Sequence, residues 1–430
     1  AITGYPPEDL LFRDGFINQV NEEINSLCNL VPSAITILFG APSQSNDSLF
    51  NSAFCIQSNR VIHVYNKQEL PNYGVFDEKR YFASGDESFI FECQQTKVGV
   101  LICEDQWIDG PIDRLCQSNV DVVVSLNASP FQLNKQNERI DICKHYALKF
   151  DLSFIYVNMV GGQDEVVFDG NSFVISNLGE LTLQLPAFKE MSVLHNSTNY
   201  LSSVLSEEES IYSALVLATR DYIQKNSFGG ALIGLSGGID SALTLAVAAD
   251  AIGPENVHAV MMPYQFTSDI SLEDSELQAR NQGVQFSNID IHSMVDSFNF
   301  SLNDFFENTS PDSTEENIQA RVRGTLLMAL SNKYHKIVLA TGNKSEMAVG
   351  YATLYGDMCG GFAPLKDIPK TMVYRLSSYR NTVSPVIPER VITRPPSAEL
   401  APNQVDQDTL PSYDVLDDIL KRFVELKHSV

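Results

Sequence analysis

The feature that most constrains the fold is the segment 231–250, in which an apolar run is followed by Leu-Ser-Gly-Gly-Ile-Asp-Ser at residues 235–241. Residues 231–234 have the character of a short buried strand, and residues 242–250 are good helix formers. A strand, a glycine-rich turn and a helix start form a phosphate-binding geometry, because the backbone can approach closely and free N–H groups face an anion. The segment lacks the Lys-Ser/Thr ending of a Walker A loop, so it is not typical of a kinase or GTPase.

The pattern Ser-Gly-Gly-x-Asp-Ser resembles the PP-loop of the ATP pyrophosphatases, which split ATP into AMP and pyrophosphate while adenylating an acid. Asp240 would offer a hard oxygen ligand to Mg²⁺. The alternative is a serine-containing glycine turn without a ligand, which would not need all these residue types in register. The resemblance implies that the pyrophosphate is held by Ser236, Gly237, Gly238 and Ser241.

The composition limits the classes of function. A chain of 430 residues with 44% hydrophobic and 19% charged residues is long enough for two cores and is typical of a soluble globular protein. The net charge of −25 argues against nucleic acid or an anionic membrane as a partner. Seven cysteines without a close-spaced framework indicate a reducing cytoplasm. No apolar run predicts a membrane span, no signal peptide is visible, and the missing initiator Met suggests a cut or processed start.

The order of predicted elements indicates two domains. After a predicted helix over residues 8–30, the first half has many strand-like runs with few interleaved helices, which predicts an α/β layered sandwich. The second half alternates strand and helix, which predicts a doubly wound parallel sheet. The pattern weakens over residues 186–206, so we predict domains at 1–195 and 196–430. The proline-containing tail over residues 393–411 is predicted to be a loop that covers a site.

One cysteine of the first half has the setting of a nucleophile. Cys103 ends the apolar run 98–102, is followed by Glu104 and Asp105, and has Trp107 nearby. A thiol at a strand-to-turn corner can be held rigidly and exposed on one side. The alternative is a small buried hydrophobe, which is the usual role of a free cysteine.

With its surroundings, the first half resembles the nitrilase-type amidases, in which a Glu, a Lys and a Cys together hydrolyse an amide. The resemblance matches Cys103 to the nucleophile and Lys67, in Asn-Lys-Gln-Glu-Leu-Pro-Asn-Tyr, to the lysine. A nearby ammonium favours thiolate and stabilises an oxyanion, while a carboxylate shuttles the proton. In the related proteins the general-base Glu precedes the segment matched by residues 3–10, so we expect it ahead of Ala1 in an untrimmed chain; otherwise the amidase is inactive. Glu8 is predicted to be a helix-start acid.

Polar side chains follow several predicted strands of the first half, where an α/β layer builds a site. These stretches are Asn-Ala-Ser-Pro-Phe at residues 127–131 and Gly-Gly-Gln-Asp-Glu at residues 161–165. The alternative is a set of polar loops without a ligand. The resemblance assigns glutamine binding to Tyr73, Glu104, Ser129 and Gln163.

Two further stretches of the second half resemble the NAD synthetase form of the PP-loop fold. The first, residues 317–323, carries Arg321 and Arg323 on a predicted helix, about 200° apart, so one can reach the nucleotide while the other makes a structural ion pair. We favour Arg321 for substrate. The second, residues 340–358, has a Thr-Gly turn, then Lys and Glu in a first helical turn, and then Thr-Leu-Tyr-Gly-Asp. An ordinary capped helix is the alternative for its beginning.

The resemblance implies a role for each matched position of this half. Glu346 joins Asp240 around Mg²⁺, and Asp357 belongs to the pyridine end of the dinucleotide. Lys366 contacts the transferring phosphate. The full set implied for ATP adds Thr341 and Lys366 to the PP-loop residues, and the set implied for the second substrate is Arg321, Lys344, Thr353, Asp357 and Lys370.

Together the two halves resemble the glutamine-dependent NAD synthetases, from residue 3 to about residue 420. This resemblance implies an enzyme, a homo-oligomer of at least two chains, that amidates nicotinic acid adenine dinucleotide through an adenylated intermediate, with ATP, Mg²⁺ and ammonia from glutamine. The family's usual basic C-terminal extension is absent, which leaves the subunit contacts open. The alternatives are another PP-loop amidotransferase, an ammonia-using synthetase with an inactive amidase half, and a nucleotide-binding scaffold without chemistry.

Overall fold

The computed structural model describes residues 1–195, 200–401 and 404–429, and the chain divides into two compact units, Ala1–Leu205 and Ser206–Val430. The predicted domain boundary at 195/196 adjoins residues 196–199, which lie outside the described residues, and stays a prediction. Among the helices in the described ranges, none is both long and apolar enough to cross a membrane.

The first unit is built from strands with few helices. Its strands are β1 (Ile37–Ser45), β2 (Ser48–Gln57), β3 (Arg60–Asn66), β4 (Phe89–Cys93), β5 (Thr96–Ile102), β6 (Val122–Asn127), β7 (Ser153–Asn158), β8 (Val160–Gln163), β9 (Val166–Asp169), β10 (Phe173–Ile175), β11 (Leu181–Gln184) and β12 (Tyr200–Leu201). Its α-helices are α1 (Phe16–Leu30), α2 (Glu78–Tyr81), α3 (Pro111–Cys116) and α4 (Lys135–Phe150).

These elements form the predicted layered sandwich. An antiparallel sheet β1-β2-β3 packs against a mixed sheet in the order β12-β11-β10-β7-β6-β5-β4, through a shared core that includes Cys55, Tyr65, Phe89 and Val100. Helix α1 covers the outer face of the smaller sheet, and α3 and α4 cover the outer face of the larger one. The strands β5, β6 and β7 are parallel, so their carboxyl ends meet at one edge.

Several elements of this unit differ from the sequence prediction. The helix expected over residues 8–30 is interrupted: a 3₁₀-helix spans Glu8–Phe12, and α1 begins after Gly15, whose φ of 81° is outside the helical range. The strands β2 and β4 were not predicted, since Asn51, Ser52 and Glu92 interrupt their apolar pattern.

The second unit alternates strands and helices, as predicted. Its elements are α5 (Glu207–Lys225), β13 (Ala231–Gly234), α6 (Ile239–Ile252), β14 (Val257–Met261), α7 (Asp269–Gln282), β15 (Gln285–Asn288), α8 (His292–Leu302), α9 (Ser313–Tyr334), β16 (Ile337–Leu339), α10 (Lys344–Val349), α11 (Lys370–Val383), α12 (Glu389–Thr393) and α13 (Tyr413–Leu420).

Strands β13 to β16 form a parallel sheet in the order β15-β14-β13-β16. Helices α5, α6 and α7 contribute to the core on one face, and α8 and α9 to the core on the other, so the sheet is doubly wound. The strand order reverses between β13 and β16. In open α/β sheets, ligands bind outside the carboxyl ends of the strands at such a reversal.

Candidate active sites

Cys103 lies at a strained corner of the first unit. Strand β5 ends at Ile102, and Cys103 begins a 3₁₀ turn with a φ of 44°, a left-handed conformation that is uncommon for a residue with a Cβ. Its side chain borders a cavity of about 270 Å³, and it is 8% exposed. This corner therefore holds the thiol rigidly at the wall of a cavity, as a nucleophile requires. Polar neighbours that share the wall are Tyr5, Asn51, Asn127 and Asn158.

Lys67 is buried against a carboxylate that sequence reasoning missed. Its Nζ donates to Glu78 Oε2 at 2.7 Å, and the two side chains are only 2% and 3% exposed. The other oxygen of Glu78 accepts from Tyr5 OH at 2.9 Å and from Asn51 Nδ2 at 2.8 Å. A carboxylate in the loop that follows Lys67 was the available signal, because a buried lysine needs an anionic partner.

The pKa values of the lysine and the thiol are set by this burial. Burial lowers the pKa of Lys67, but the charges of Glu78 and Cys103 outweigh it and raise the pKa overall, so the ammonium stays protonated. Burial raises the pKa of the Cys103 thiol to about 11, although the Lys67 ammonium opposes this shift. The carboxylates of Glu78 and Glu104 raise it further. A base is therefore required to activate the thiol at neutral pH.

Three of the predicted glutamine-binding residues lie in two hydrogen-bonded groups. Tyr73 donates its hydroxyl proton to both oxygens of Glu104, at 3.0 and 3.1 Å. The amide of Ser129 donates to Asn158 Oδ1 at 2.9 Å, and its hydroxyl accepts from the buried Arg139 at 3.2 Å. The sequence pattern gave no signal for Arg139, which also pairs with a buried aspartate, Asp169, at 2.9 Å.

The side-chain amide of Gln163, which was predicted to bind glutamine, is hydrogen-bonded to the backbone of the protein. Its Oε1 accepts from the amide of Tyr5 at 3.1 Å, and its Nε2 donates to the carbonyl of Pro6 at 2.8 Å. Gly4 beside it has a φ of 71°, which favours glycine, and a Cβ there would meet the Gln163 side chain. The amide thus holds the segment that carries Tyr5, and contact with glutamine remains a prediction.

The conformation of the PP-loop in the second unit is stabilised by hydrogen bonds from its own serines. The Ser241 hydroxyl accepts from the amide of Ser236 at 3.2 Å and donates to the carbonyl of Gly238 at 3.0 Å. Gly237 has a φ of 81°, and a Cβ there would lie 2.7 Å from the carbonyl oxygen of Ser271. Only glycine fits this turn, which leads into the first turn of α6.

Lys370 joins the two carboxylates that were predicted to bind the metal. Its Nζ lies 2.5 Å from Asp240 Oδ2 and 3.0 Å from Glu346 Oε1. Asn343, which sequence reasoning missed, donates to Asp240 Oδ1 at 2.8 Å and caps the helix of Glu346 by accepting from its amide at 3.0 Å. Burial and then Asp240 raise the pKa of Glu346 to about 7, which Lys370 opposes.

The carboxylates of Asp240 and Glu346 fit a Mg²⁺ ion whose remaining ligands come from water and substrate. No group of three or more His, Cys, Asp or Glu side chains is placed to hold a metal within the described part of the chain. Mg²⁺ commonly takes only one or two carboxylates and fills its octahedron with water and phosphate oxygens. Asp240 and Glu346 supply that number, and the ammonium between them marks a place where positive charge is favoured.

A cavity of about 650 Å³ lies over these groups. Its wall includes Arg323 and residues of the predicted covering tail, among them Pro396, Ser397 and Glu399. The predicted site residues that line it are Ser236, Gly238, Asp240, Ser241, Thr341, Glu346, Thr353, Asp357 and Lys370. Within the described residues, the lining does not include Gly237, Arg321, Lys344 or Lys366.

The positions of the two arginines favour Arg323, and not Arg321, as the one that contacts substrate. Arg323 lines the cavity, donates to the carbonyl of Met262 at 2.9 Å, and has its pKa lowered to about 10 by burial. Arg321 is exposed and donates to the carbonyl of Leu354 at 3.3 Å. Lys344 is paired with Glu425 at 2.6 Å. Helical spacing could not choose between the arginines, because the choice depends on which face of α9 meets the sheet.

Comparisons with known proteins agree with this architecture. Residues 24–200 match the carbon-nitrogen hydrolase family, and residues 211–430 match the NAD synthase family. The glutamine-dependent NAD(+) synthetase of Acinetobacter baylyi is 50% identical over 99% of this chain and 80% of that protein, and the one of Synechocystis is 42% identical over 100% and 81%.

A solved structure shows the same fold over both units. The glutamine-dependent NAD+ synthetase of Acinetobacter baumannii, in complex with ADP, has a TM-score of 0.87 and 49% identity, covering 99% of this chain and 80% of that one. The predicted fold class, a nitrilase-like α/β unit followed by an α/β NAD synthase unit, is confirmed. The chain belongs to the glutamine-dependent NAD(+) synthetase family.

Proposed function

We propose that this chain amidates nicotinic acid adenine dinucleotide to NAD, using ATP and ammonia released from glutamine. The observation that carries the proposal is that one chain holds two centres of different chemistry. The first has a rigid thiol beside a buried Lys67–Glu78 pair, and the second has a PP-loop beside Asp240 and Glu346. A catalytically silent scaffold has no need to bury such charges, whose desolvation costs free energy even when they are paired.

In the second unit, the residues act by positioning and electrostatics. The substrate carboxylate attacks the α-phosphorus of ATP, and pyrophosphate leaves toward the PP-loop. Backbone N–H groups at the start of α6 and the hydroxyls of Ser236 and Ser241 face the leaving group. Asp240 and Glu346 would hold Mg²⁺, whose chemistry is to offset phosphate charge. Ammonia then opens the acyl adenylate, which gives NAD and AMP.

In the first unit, the Cys103 thiol attacks the side-chain amide of glutamine. A general-base carboxylate takes the thiol proton, and from the family resemblance we expect this Glu ahead of residue 3. The Lys67 ammonium, kept in place by Glu78, stabilises the oxyanion of the tetrahedral intermediate. Ammonia leaves, and water hydrolyses the thioester to glutamate. Binding of the glutamine itself is proposed for Tyr73, Glu104 and Ser129.

For the second unit, substrate contacts are proposed from the cavity wall. Thr341, Thr353, Asp357 and Lys370 line it and keep their proposed roles. Arg323 takes the role first given to Arg321. Lys344 and Lys366 keep theirs only if substrate binding brings them to the cavity. A homo-oligomer of at least two chains is proposed from the family resemblance alone.

The test is a pair of assays for NAD and AMP, with nicotinic acid adenine dinucleotide, ATP and Mg²⁺, run with glutamine or with ammonium. Product with both nitrogen sources is the expected result for a chain that includes the general base. Product with ammonium alone would leave the synthetase function and remove the amidase function. Nucleotide-dependent thermal stabilisation without any product would favour the scaffold and overturn the proposal.

A further inference from the structure

Asp105 is a fully buried carboxylate two residues after Cys103, and it has no place in the proposed chemistry. Its Oδ1 accepts from the backbone amides of Gln68 at 3.0 Å and Glu69 at 2.8 Å. Its Oδ2 accepts from the hydroxyl of Tyr65 at 2.8 Å and from the amide of Ile102 at 3.1 Å. One carboxylate therefore takes hydrogen bonds from the end of β3, from the loop after it, and from the end of β5.

The backbone donors are next to the two residues of the candidate amidase centre. Gln68 directly follows Lys67, and Ile102 directly precedes Cys103. Strands β3 and β5 belong to different sheets, which contact each other through side chains. Ladder hydrogen bonds fix register within a sheet and cannot fix the distance between residues of two sheets. The Asp105 carboxylate is a direct polar link between the lysine loop and the cysteine corner.

Further hydrogen bonds from the Gln68 side chain stabilise the loop that Asp105 contacts. Gln68 Nε2 donates to the Tyr65 hydroxyl at 3.1 Å and to the carbonyl of Glu87 at 3.2 Å, and Gln68 Oε1 accepts from Arg114. Burial raises the pKa of Asp105, and the hydrogen bonds together with the Lys67 charge oppose the rise. A buried carboxylate is costly unless its oxygens are satisfied, and here all four bonds point at the two segments that must be aligned and at the tyrosine between them.

We propose that Asp105 is a positioning residue for glutamine hydrolysis, which sets the place of the Lys67 ammonium relative to the Cys103 thiol across the two sheets. The inference rests on the proposed amidase function. It assigns Asp105 an effect on the hydrolysis of glutamine and none on the synthetase reaction.

The first test is Asp105→Asn in the full chain, which keeps the size of the side chain and replaces one accepting oxygen by a donor. Two of the four donors to Asp105 then face the N–H group of the new amide and lose their hydrogen bonds. Either the lysine loop or the cysteine corner is therefore released. We expect kcat with glutamine to fall on the order of 100-fold, the loss that a displacement of about 1 Å can cause. The KM for glutamine and the rate with ammonium should change less than about threefold.

The matched control is Tyr65→Phe, which removes the hydroxyl that donates to Asp105 and accepts from Gln68, and leaves Asp105 its three backbone donors. This variant should keep glutamine-dependent activity within about threefold of the wild type. If Asp105→Asn does not yield folded protein, Asp105→Ser is the second variant, because its short side chain can still accept from Ile102 and releases only the loop. Full glutamine-dependent activity in either Asp105 variant would overturn the proposal.

A double-mutant cycle separates positioning from simple loosening. Alkylation of Cys103 by iodoacetamide at pH 8 is followed on its peptide by mass spectrometry in the wild type, Asp105→Asn, Lys67→Met and the double variant. The charged groups that face the thiol are Lys67, Glu78, Glu104 and Arg139. Losing the lysine's influence should slow alkylation, because the Lys67 ammonium lowers the pKa of the thiol and so stabilises the thiolate.

If Asp105 acts through Lys67, the double variant should react no more than about twofold slower than Lys67→Met alone. A loosened corner would instead expose the thiol and speed alkylation in both backgrounds, which would overturn the proposal. Failure of the underlying function is distinguishable: Cys103→Ala would then retain glutamine-dependent synthesis. Loss in Cys103→Ala with full activity in Asp105→Asn would overturn only the positioning role.

Discussion

Each unit buries one lysine at its candidate centre, and the two lysines differ in their partners. The side chains of Lys67 and Lys370 are both 2% exposed. Lys67 pairs with a single carboxylate, Glu78, whose second oxygen is already bonded to Tyr5 and Asn51. Lys370 bridges two carboxylates at the wall of a cavity more than twice as large.

The difference lies in the balance of charge. One ammonium and one carboxylate form a neutral pair that can stay closed through a reaction cycle, so Lys67 serves as a permanent part of its site. One ammonium against the two carboxylates Asp240 and Glu346 leaves a net negative charge at the cavity wall once Glu346, whose pKa is raised to about 7, is ionised. We therefore expect the second centre to accept a divalent cation and phosphates, and the first to accept only a neutral amide.

The largest expected effect separates the two centres completely. Asp240→Asn should lower NAD and AMP formation at least about 1,000-fold with glutamine and with ammonium, because it removes charge that both reactions share. Cys103→Ala should abolish only the glutamine reaction. Both are measured by product formation under the same conditions. Intact AMP formation in Asp240→Asn would show that the metal role is wrong, and loss of both reactions in Cys103→Ala would make Cys103 structural.

Breaking the buried Lys67–Glu78 pair should destabilise the first unit. Glu78→Gln leaves the buried Lys67 ammonium without its anion, which should lower the free energy of unfolding of the first unit by about 3–5 kcal/mol. Urea unfolding measures the change. The matched control is Glu138→Gln, which breaks the solvent-exposed pair with Lys135 and should change stability little. Equal effects of the two substitutions would contradict a special role for the buried pair.

The Cys103 thiol of the first centre should also show a distinctive pH dependence. Because the pKa of Cys103 is raised to about 11, its thiolate fraction at neutral pH is lower than that of a free cysteine. Alkylation of Cys103 by iodoacetamide should therefore rise about tenfold per pH unit from 7 to 10 without a plateau. N-acetylcysteine, run in parallel, should level off near its own pKa. A plateau of the Cys103 rate below pH 9 would contradict the raised pKa.

Removing Lys370, which bridges Asp240 and Glu346, should increase the difference in charge between the two centres. Lys370→Met leaves Asp240 and Glu346 without a neutralising partner, so Mn²⁺ should bind on the order of tenfold more tightly in the absence of nucleotide. Electron paramagnetic resonance of free Mn²⁺ measures the affinity. Lys135→Met, which removes a half-buried lysine charge of the first unit, is the control. Unchanged affinity in Lys370→Met would mean that the ammonium does not compete for the cation.

The smallest expected effect concerns the arginines of α9. Arg323→Ala should raise the KM of a nucleotide substrate about tenfold, since a guanidinium at the cavity wall contributes a charge-assisted hydrogen bond. Arg321→Ala should change it less than about twofold. Steady-state kinetics with ammonium as the nitrogen source compare the two without involving the amidase. The reverse order would restore our first preference for Arg321.

Much of both centres could be predicted because it depends on short segments. The PP-loop requires a buried strand, glycines and a helix start within about ten residues, and Gly237 has the positive φ that such a turn needs. Cys103 was recognised as a strand-end residue, and Glu346 as a residue of a first helical turn. These features are local, and the interruption at Gly15 shows that even local periodicity can be overridden by one backbone conformation.

The sequence by itself determined the two fold classes, the order of the elements and the residues that local backbone geometry presents. Only the tertiary structure decided that Glu78 supports Lys67, that Lys370 joins Asp240 to Glu346, and that Asp105 links two sheets. The physical reason is that a buried charge must find its partner wherever packing brings one. That partner can lie 130 residues away, as it does for Lys370 and Asp240, and residue spacing carries no information about it.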